Sequence, residues 1–423
     1  MNSPNQRVLK AMLAGAAVFA LGATASAFAA EECKEVHVMV TAGPEEDVLI
    51  KYAHSDFEKQ TGIQASIETV SRDLWPSRAA REFTADKASY DLVALNSSEG
   101  DPVWVARGKS QDLRKLLPAD LIENILPKLR EAATYNDKLV AVPQYWNTEM
   151  YFYRKDLFAD AKNQADFKAK YGYDLAPPTS WEHLADIDEF FHRPPDLYGG
   201  WMSGVNWGIG LDYQTILFGE GGRAFDLKAN TMLANSPESV KTFGIMQRIA
   251  KTAPESFATQ TFFDADTLMQ GGKLASYTNY SYIWATLAKE PDKYGMTVLP
   301  GKGIPIGTFF FAVPESAPNV ACAVKFITWM LSDDYQAKQV GETGNPPATI
   351  TQMKNPEVTK AIPDFAAFVA AADKLSPVEV TWGPEFFEGV AAAGADVYAG
   401  KKTPQEAADW LQNTKFKGRK PIE

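Results

Sequence analysis

Residues Asn136 to Phe158 read NDKLVAVPQYWNTEMYFYRKDLF. Asn136-Asp137 is turn chemistry. Leu139, Val140 and Val142 predict a short apolar strand that stops at Pro143. Tyr145, Trp146 and Asn147 then form an aromatic-polar crossing. Met150-Tyr151-Phe152-Tyr153 predicts a second strand, and Lys155-Asp156-Leu157-Phe158 opens a helix. A strand leaving one core, a crossing, and a strand entering another core describe a hinge beside a cleft.

Upstream of this run, strands alternate with helices, which predicts a parallel or mixed α/β sheet. Val36–Val40 is a compact apolar strand. Pro44 suits the first turn of the next helix, with Glu45, Glu46 and Asp47 complementing its dipole. Gly62 ends that helix, and Ile63–Val70 is the second strand. A helix through Trp75–Thr84 and a third strand, Tyr90–Leu95, follow. Ligands of open α/β sheets bind outside the carboxyl ends of the strands. Loops at Ala42-Gly43, Ser71-Arg72 and Ser98-Glu99 therefore face one cleft.

Downstream, Ser180 or Thr179 caps a helix opening at Trp181. Gly199–Gly208 is expected as a loop and Leu211–Phe218 as a helix ended by Gly219-Glu220-Gly221-Gly222. Strands are expected at Lys273–Thr278, running into Asn279–Tyr282, and at Tyr294–Pro300. The chain crosses back near Gly307 into a strand, Thr308–Val313. A third crossing is GETGNPPAT, Gly341–Thr349. Thr403-Pro404-Gln405-Glu406 starts a capped C-terminal helix.

The whole chain has 423 residues, 45% of them hydrophobic, enough for two or three domains. The N-terminus has the form of a secretory signal. Arg7 and Lys10 precede an apolar run from Met12 to Leu21, and Ala27-Phe28-Ala29 offers a cleavage site, with Ala25-Ser26-Ala27 as a second one. That run is short for a membrane anchor. Cys33 lies just past the cleavage site, but Ala30-Glu31-Glu32 lacks the apolar-small-small pattern of lipidation. Cys33 and Cys322 are the only cysteines; they stand either as a disulfide or as two free thiols.

The formal net charge is −11. Loss of Arg7 and Lys10 with the signal leaves 40 basic residues against 53 acidic. This balance argues against nucleic acid and anionic membranes as partners. Four histidines make a His-rich metal site an unpromising reading, and no cofactor motif occurs.

The chain resembles the extracellular solute-binding proteins of sugar ABC transporters, the maltose-binding-protein-like family. The resemblance rests on seven pieces in family order: Phe57–Gly62, the Asn136–Phe158 run, Pro177–Trp181, Tyr294–Pro300, Thr308–Pro314, the helix Phe326–Tyr335, and Asn345-Pro346-Pro347. It implies two α/β lobes joined by two or three crossovers. The expected division is residues 1–29 as signal, 30–144 plus 309–344 as the first lobe, and 145–308 plus 345–423 as the second. It further implies a periplasmic, monomeric receptor for a sugar or polyol, with ABC permease subunits as partners and a chemoreceptor as a compatible one.

The positions carried over from the family are Ser71, Trp75, Ser98, Glu99, Tyr145, Asn147, Asp212, Tyr213, Asn279, Tyr282, Thr308 and Trp382. A pyranose stacks its C–H face on aromatic rings, and its hydroxyls need paired donors and acceptors. Tyr151, Phe152, Tyr153, Phe309, Phe310 and Trp329 are expected as packing, and Trp146 and Trp284 more as core than as ligand. Glu99 serves equally as a loop cap and Asp212 equally as an N-cap. Two other readings stand beside this one. The same fold could take a polyamine or another organic solute. An exported glycosidase would need paired carboxylates across a cleft; Glu99 and Asp212 could supply two, but nothing marks either as acid or nucleophile. The chain lacks GxxxxGK[ST], so it is not the transporter's ATPase.

Overall fold

A computed structural model describes residues 33–71, 74–96, 109–377 and 384–421. Residues 1–29, Ser98, Glu99 and Trp382 lie outside them. Residues 33–423 form one compact unit. Among the described residues no helix is long and apolar enough to cross a membrane.

Eight strands carry the architecture. They are β1 (Glu35–Thr41), β2 (Gln64–Val70), β3 (Leu92–Asn96), β4 (Val142–Pro143), β5 (Glu149–Arg154), β6 (Ser276–Tyr280), β7 (Tyr294–Val298) and β8 (Phe309–Ala312). The first sheet has the order β2-β1-β3-β8-β4. Its first three strands are parallel and β8 runs antiparallel to β3, with Phe309 opposite Asn96. Val38, Met39, Leu92, Val93, Phe310 and Phe311 are fully buried, as expected of strands covered on both faces. The second sheet is antiparallel in the order β6-β5-β7, with Tyr280 opposite Glu149. One cluster of buried apolar residues runs from the first sheet through the crossings to the second.

Several expectations shift. The strand expected across Leu139–Val142 divides in two. Asn136 and Asp137, at φ 46° and 65°, turn a two-residue hairpin that pairs Tyr135 with Lys138. Val142-Pro143 is a separate strand. Pro143 sits inside it because β4 is an edge strand, where a missing N–H costs no ladder bond. The helix expected from Leu211 begins at Asn206, inside the segment expected as loop. The strand expected at Lys273–Thr278 lies at Ser276–Tyr280, where its partner β5 provides the ladder. Pro44, Ser180 and Thr403 take their expected places as helix openers, and Gly62 ends its helix at φ 70°.

Cys33 and Cys322 form a disulfide that ties the segment before β1 to the helix Val320–Met330. Of the two alternatives the sequence left open, the structure holds this one. Residues 345–361, placed above with the second lobe, bond to elements of the first. Thr349 bridges Ile125, and Ile350 N donates to Asn124 O at 2.7 Å.

Candidate ligand cleft

The crossings lie side by side. Tyr145 pairs with Pro347, and Trp146 N donates to Pro346 O at 3.2 Å. Asn147 pairs with Gly307 through both backbone bonds, at 2.7 and 3.0 Å. Thr148 Oγ1 donates to Pro305 O at 3.0 Å, and Ile306 N donates to Ser376 O at 3.2 Å. The Thr308 hydroxyl donates to Tyr145 O, so this residue serves the hinge itself. Gly307 is glycine for want of room. A Cβ there would stand 2.4 Å from Asn147 Oδ1 and 2.8 Å from Tyr280 Cε1. The amide of Asn147 and the ring of Tyr280 thus meet at the crossing backbone.

On the first-lobe side, Ser71 follows β2. Its carbonyl accepts from Leu74 N and Trp75 N and starts the next helix. Trp75 is buried, its ring edge-on to Phe309 with centroids 5.7 Å apart. Its indole Nε1 has no hydrogen-bond partner among the described residues.

On the second-lobe side, two carboxylates approach one another. Glu149 opens β5 and is buried, with Oε2 unpartnered. Burial, then the neighbouring Asp212, pushes its carboxyl well above the ordinary range. Asp212 accepts from Ser203 N at 2.7 Å, and burial raises its carboxyl to about 7. It stands six residues into the helix Asn206–Gly219 and is not an N-cap. Its neighbour Tyr213 does not join it. Successive helical residues diverge by about 100°, so Tyr213 points into the lobe. There its hydroxyl meets Ser239 Oγ at 2.7 Å and its ring packs on Phe243. Its expected ligand role gives way to packing.

Asn279 and Tyr282 are brought together by a residue the sequence reading missed. Asp266 accepts from Tyr277 Oη at 2.7 Å, Asn279 Nδ2 at 2.6 Å and Tyr282 Oη at 2.5 Å. Tyr282 is half-buried and lies near Phe263, which is 58% exposed. Phe262 joins Phe263 to Tyr280 with centroid separations of 4.6 and 5.7 Å. Trp146 and Trp284 are buried, against Phe368 and Phe152. The structure places Glu149, Asp266 and Tyr280 beside residues of the expected set. A charged residue opening the aromatic run Met150–Tyr153 was the available signal for Glu149. Asp266 lies in an ordinary amphipathic helix and carried none. Among the described residues no three of His, Cys, Asp and Glu converge as a metal site.

Two α/β sheets joined by bonded crossings, with polar and aromatic side chains gathered at the crossings, define a two-lobed binding protein. Residues 52–367 match the family described as bacterial extracellular solute-binding protein, and the chain belongs to that family. A probable ABC transporter-binding protein of Deinococcus radiodurans is 25% identical over 330 residues, 73% of this chain and 76% of that protein. The mannitol-binding protein of Pseudomonas aeruginosa is 22% identical over 350 residues, 79% of this chain and 78% of that protein. The crystal structure of an ABC transporter solute-binding protein of Agrobacterium radiobacter in complex with ribitol aligns at a TM-score of 0.73 and 22% identity. That alignment covers 89% of this chain and 96% of the other.

Proposed function

We propose that this chain is the exported receptor of an ABC importer and binds a sugar or polyol at the crossings. The observation that carries the reading is the convergence of Asn147, Gly307 and Tyr280. The Glu149–Asp212 pair lies on the same lobe. Carboxylates and amides engage neighbouring hydroxyls, and the Phe262–Phe263–Tyr280–Tyr282 rings offer faces to C–H groups. Ligand bridging the lobes stabilises the closed state, which docks on the permease. The named ligands of relatives, mannitol and ribitol, support the polyol class. We take residues 1–29 as a signal removed on export, leaving an unlipidated periplasmic protein. Pairing of Cys33 in a disulfide supports this, because a thiol so used is not free for lipidation. Residues 345–361 group better with the first lobe, with the remaining division as expected from sequence.

A thermal-shift screen across ribitol, mannitol, maltose and spermidine tests this. At about 100 times Kd, ligand should add about 2.7 kcal/mol to folding stability. A rise with a polyol or sugar, recovered chemically intact, is the expected result. A flat response to all three carbohydrates with a rise in spermidine would replace the polyol by a polyamine, and turnover would make the chain an enzyme.

A further inference from the structure

Asp266 sits in the helix Phe262–Gln270, is only 7% exposed, and draws all three of its donors from neutral groups. Holding a carboxyl in such a place is costly, because neutral donors offset its desolvation only in part. Burial raises it above the ordinary range and the three donors pull it back. Its placement accounts for the rings around it. Tyr282 is pinned directly through its hydroxyl. Asn279 is pinned through Nδ2, and its Oδ1 in turn accepts from Tyr280 N at 2.7 Å. Tyr280 then lies against Gly307 and toward Phe262, and Tyr282 toward the exposed Phe263. One carboxyl thus holds Tyr277 and Tyr282 directly and Tyr280 through an amide.

We propose that Asp266 is the positioning residue of an aromatic shelf formed by Tyr280, Tyr282, Phe262 and Phe263, holding it ready for the C–H face of a neutral polyhydroxylated ligand. The proposal rests on the ligand reading above. A shelf fixed before ligand arrives saves the ordering cost that loose rings would add on binding. The Tyr282 phenol oxygen, engaged with Asp266, leaves that ring's face, rather than a new hydroxyl donor, as what Tyr282 offers the shelf.

The test combines a double-mutant cycle with a ligand-free readout. Calorimetry measures Kd for ribitol and mannitol in wild type, Asp266→Asn, Tyr282→Phe and the double variant. Tyr282→Phe keeps the ring and removes only the pinned hydroxyl. Each single change should weaken binding by about tenfold, and the double change should weaken it no more than the worse single. Losses that multiply in the double variant, or wild-type affinity in Asp266→Asn, would overturn the proposal. Tyrosinate absorbance at high pH gives the second readout. Asp266→Asn should bring the two phenols that bond it, Tyr277 and Tyr282, into ionisation at lower pH, and Tyr282→Phe should remove one of these two components. If neither polyol binds wild type, the polyol reading fails and this titration still decides: a phenol unmoved by Asp266→Asn overturns the positioning role, and one moved down supports it.

Discussion

The two sheets handle charge in opposite ways. Around the first, carboxylates stay outside and meet cations or backbone donors. Lys338 holds Asp56 below the ordinary range, Ala65 N does so for Glu58, and Arg78 for Glu68. Buried Glu46, Glu82 and Asp91 are the exceptions, Asp91 raised by burial while accepting from His37 N and Asn319 N. Around the second sheet, Glu149, Asp188, Asp212 and Asp266 are all pushed upward, with burial the leading cause in each. The first lobe keeps most of its charged pairs at the rim of an apolar sheet. The second keeps several raised carboxyls inside.

The largest expected effect falls on the first lobe. Its disulfide closes a separation of 289 residues, and loops this long gain most from cross-linking. Cys322→Ser should lower unfolding free energy by about 3–5 kcal/mol, read by guanidinium titration, and reductant should do the same to wild type. A loss below about 1 kcal/mol would mean that the apolar sheet needs no staple.

The next effect tests the buried protons of the second lobe. Burial raises Asp188 to about 8, with Glu189 adding to the shift and Arg248 opposing it. Asp188 Oδ1 accepts from Ser276 Oγ at 2.5 Å. The unfolded chain releases this proton near pH 3.9 and the folded chain near 8. Stability from this group is therefore intact below about pH 4 and falls as pH rises toward 8. Asp188→Asn should remove that fall, stabilising the protein by about 2–4 kcal/mol at pH 8 and leaving it unchanged near pH 4. Urea titrations at both pH values check this, and an equal effect at the two would show the carboxyl ionised in the fold.

The smallest effect returns to the first sheet. Glu68 bonds Arg78 and Tyr90 at an exposed site. Glu68→Gln should cost less than about 1 kcal/mol, and less still in high salt. A cost comparable with that at Asp188 would erase the contrast between the sheets.

The fold was legible because its evidence is local and repeated. Val36–Val40 and Thr308–Val313 are near-continuous apolar runs, Ile63–Val70 alternates apolar with polar residues, and each appears as a strand within a residue or two of its expected bounds. Strand breaks were less legible: Lys138-Leu139 and Val142-Pro143 look continuous, and only their different partners separate them. The site was partly legible. Tyr145, Asn147 and Thr308 do gather at the crossings, as backbone and side-chain partners of one another and of Gly307 and Pro347. Tyr213 was misplaced because its helix begins at Asn206, so the face it occupies could not be read from its neighbour. Asp266 was missed because its partners, Tyr277, Asn279 and Tyr282, lie 11 to 16 residues away on other elements, outside the spacing a helix pattern reveals.

The crossings form a bonded strip four chain runs wide: Pro347 beside Tyr145, Asn147 beside Gly307, and Ile306 beside Ser376. Such a strip behaves as a leaf spring. It flexes about a line across its runs, whereas sliding one run past the next would break the bonds between them. Lobe motion in this chain should then follow one soft coordinate, which a single pair of distance labels, one on each lobe, would record.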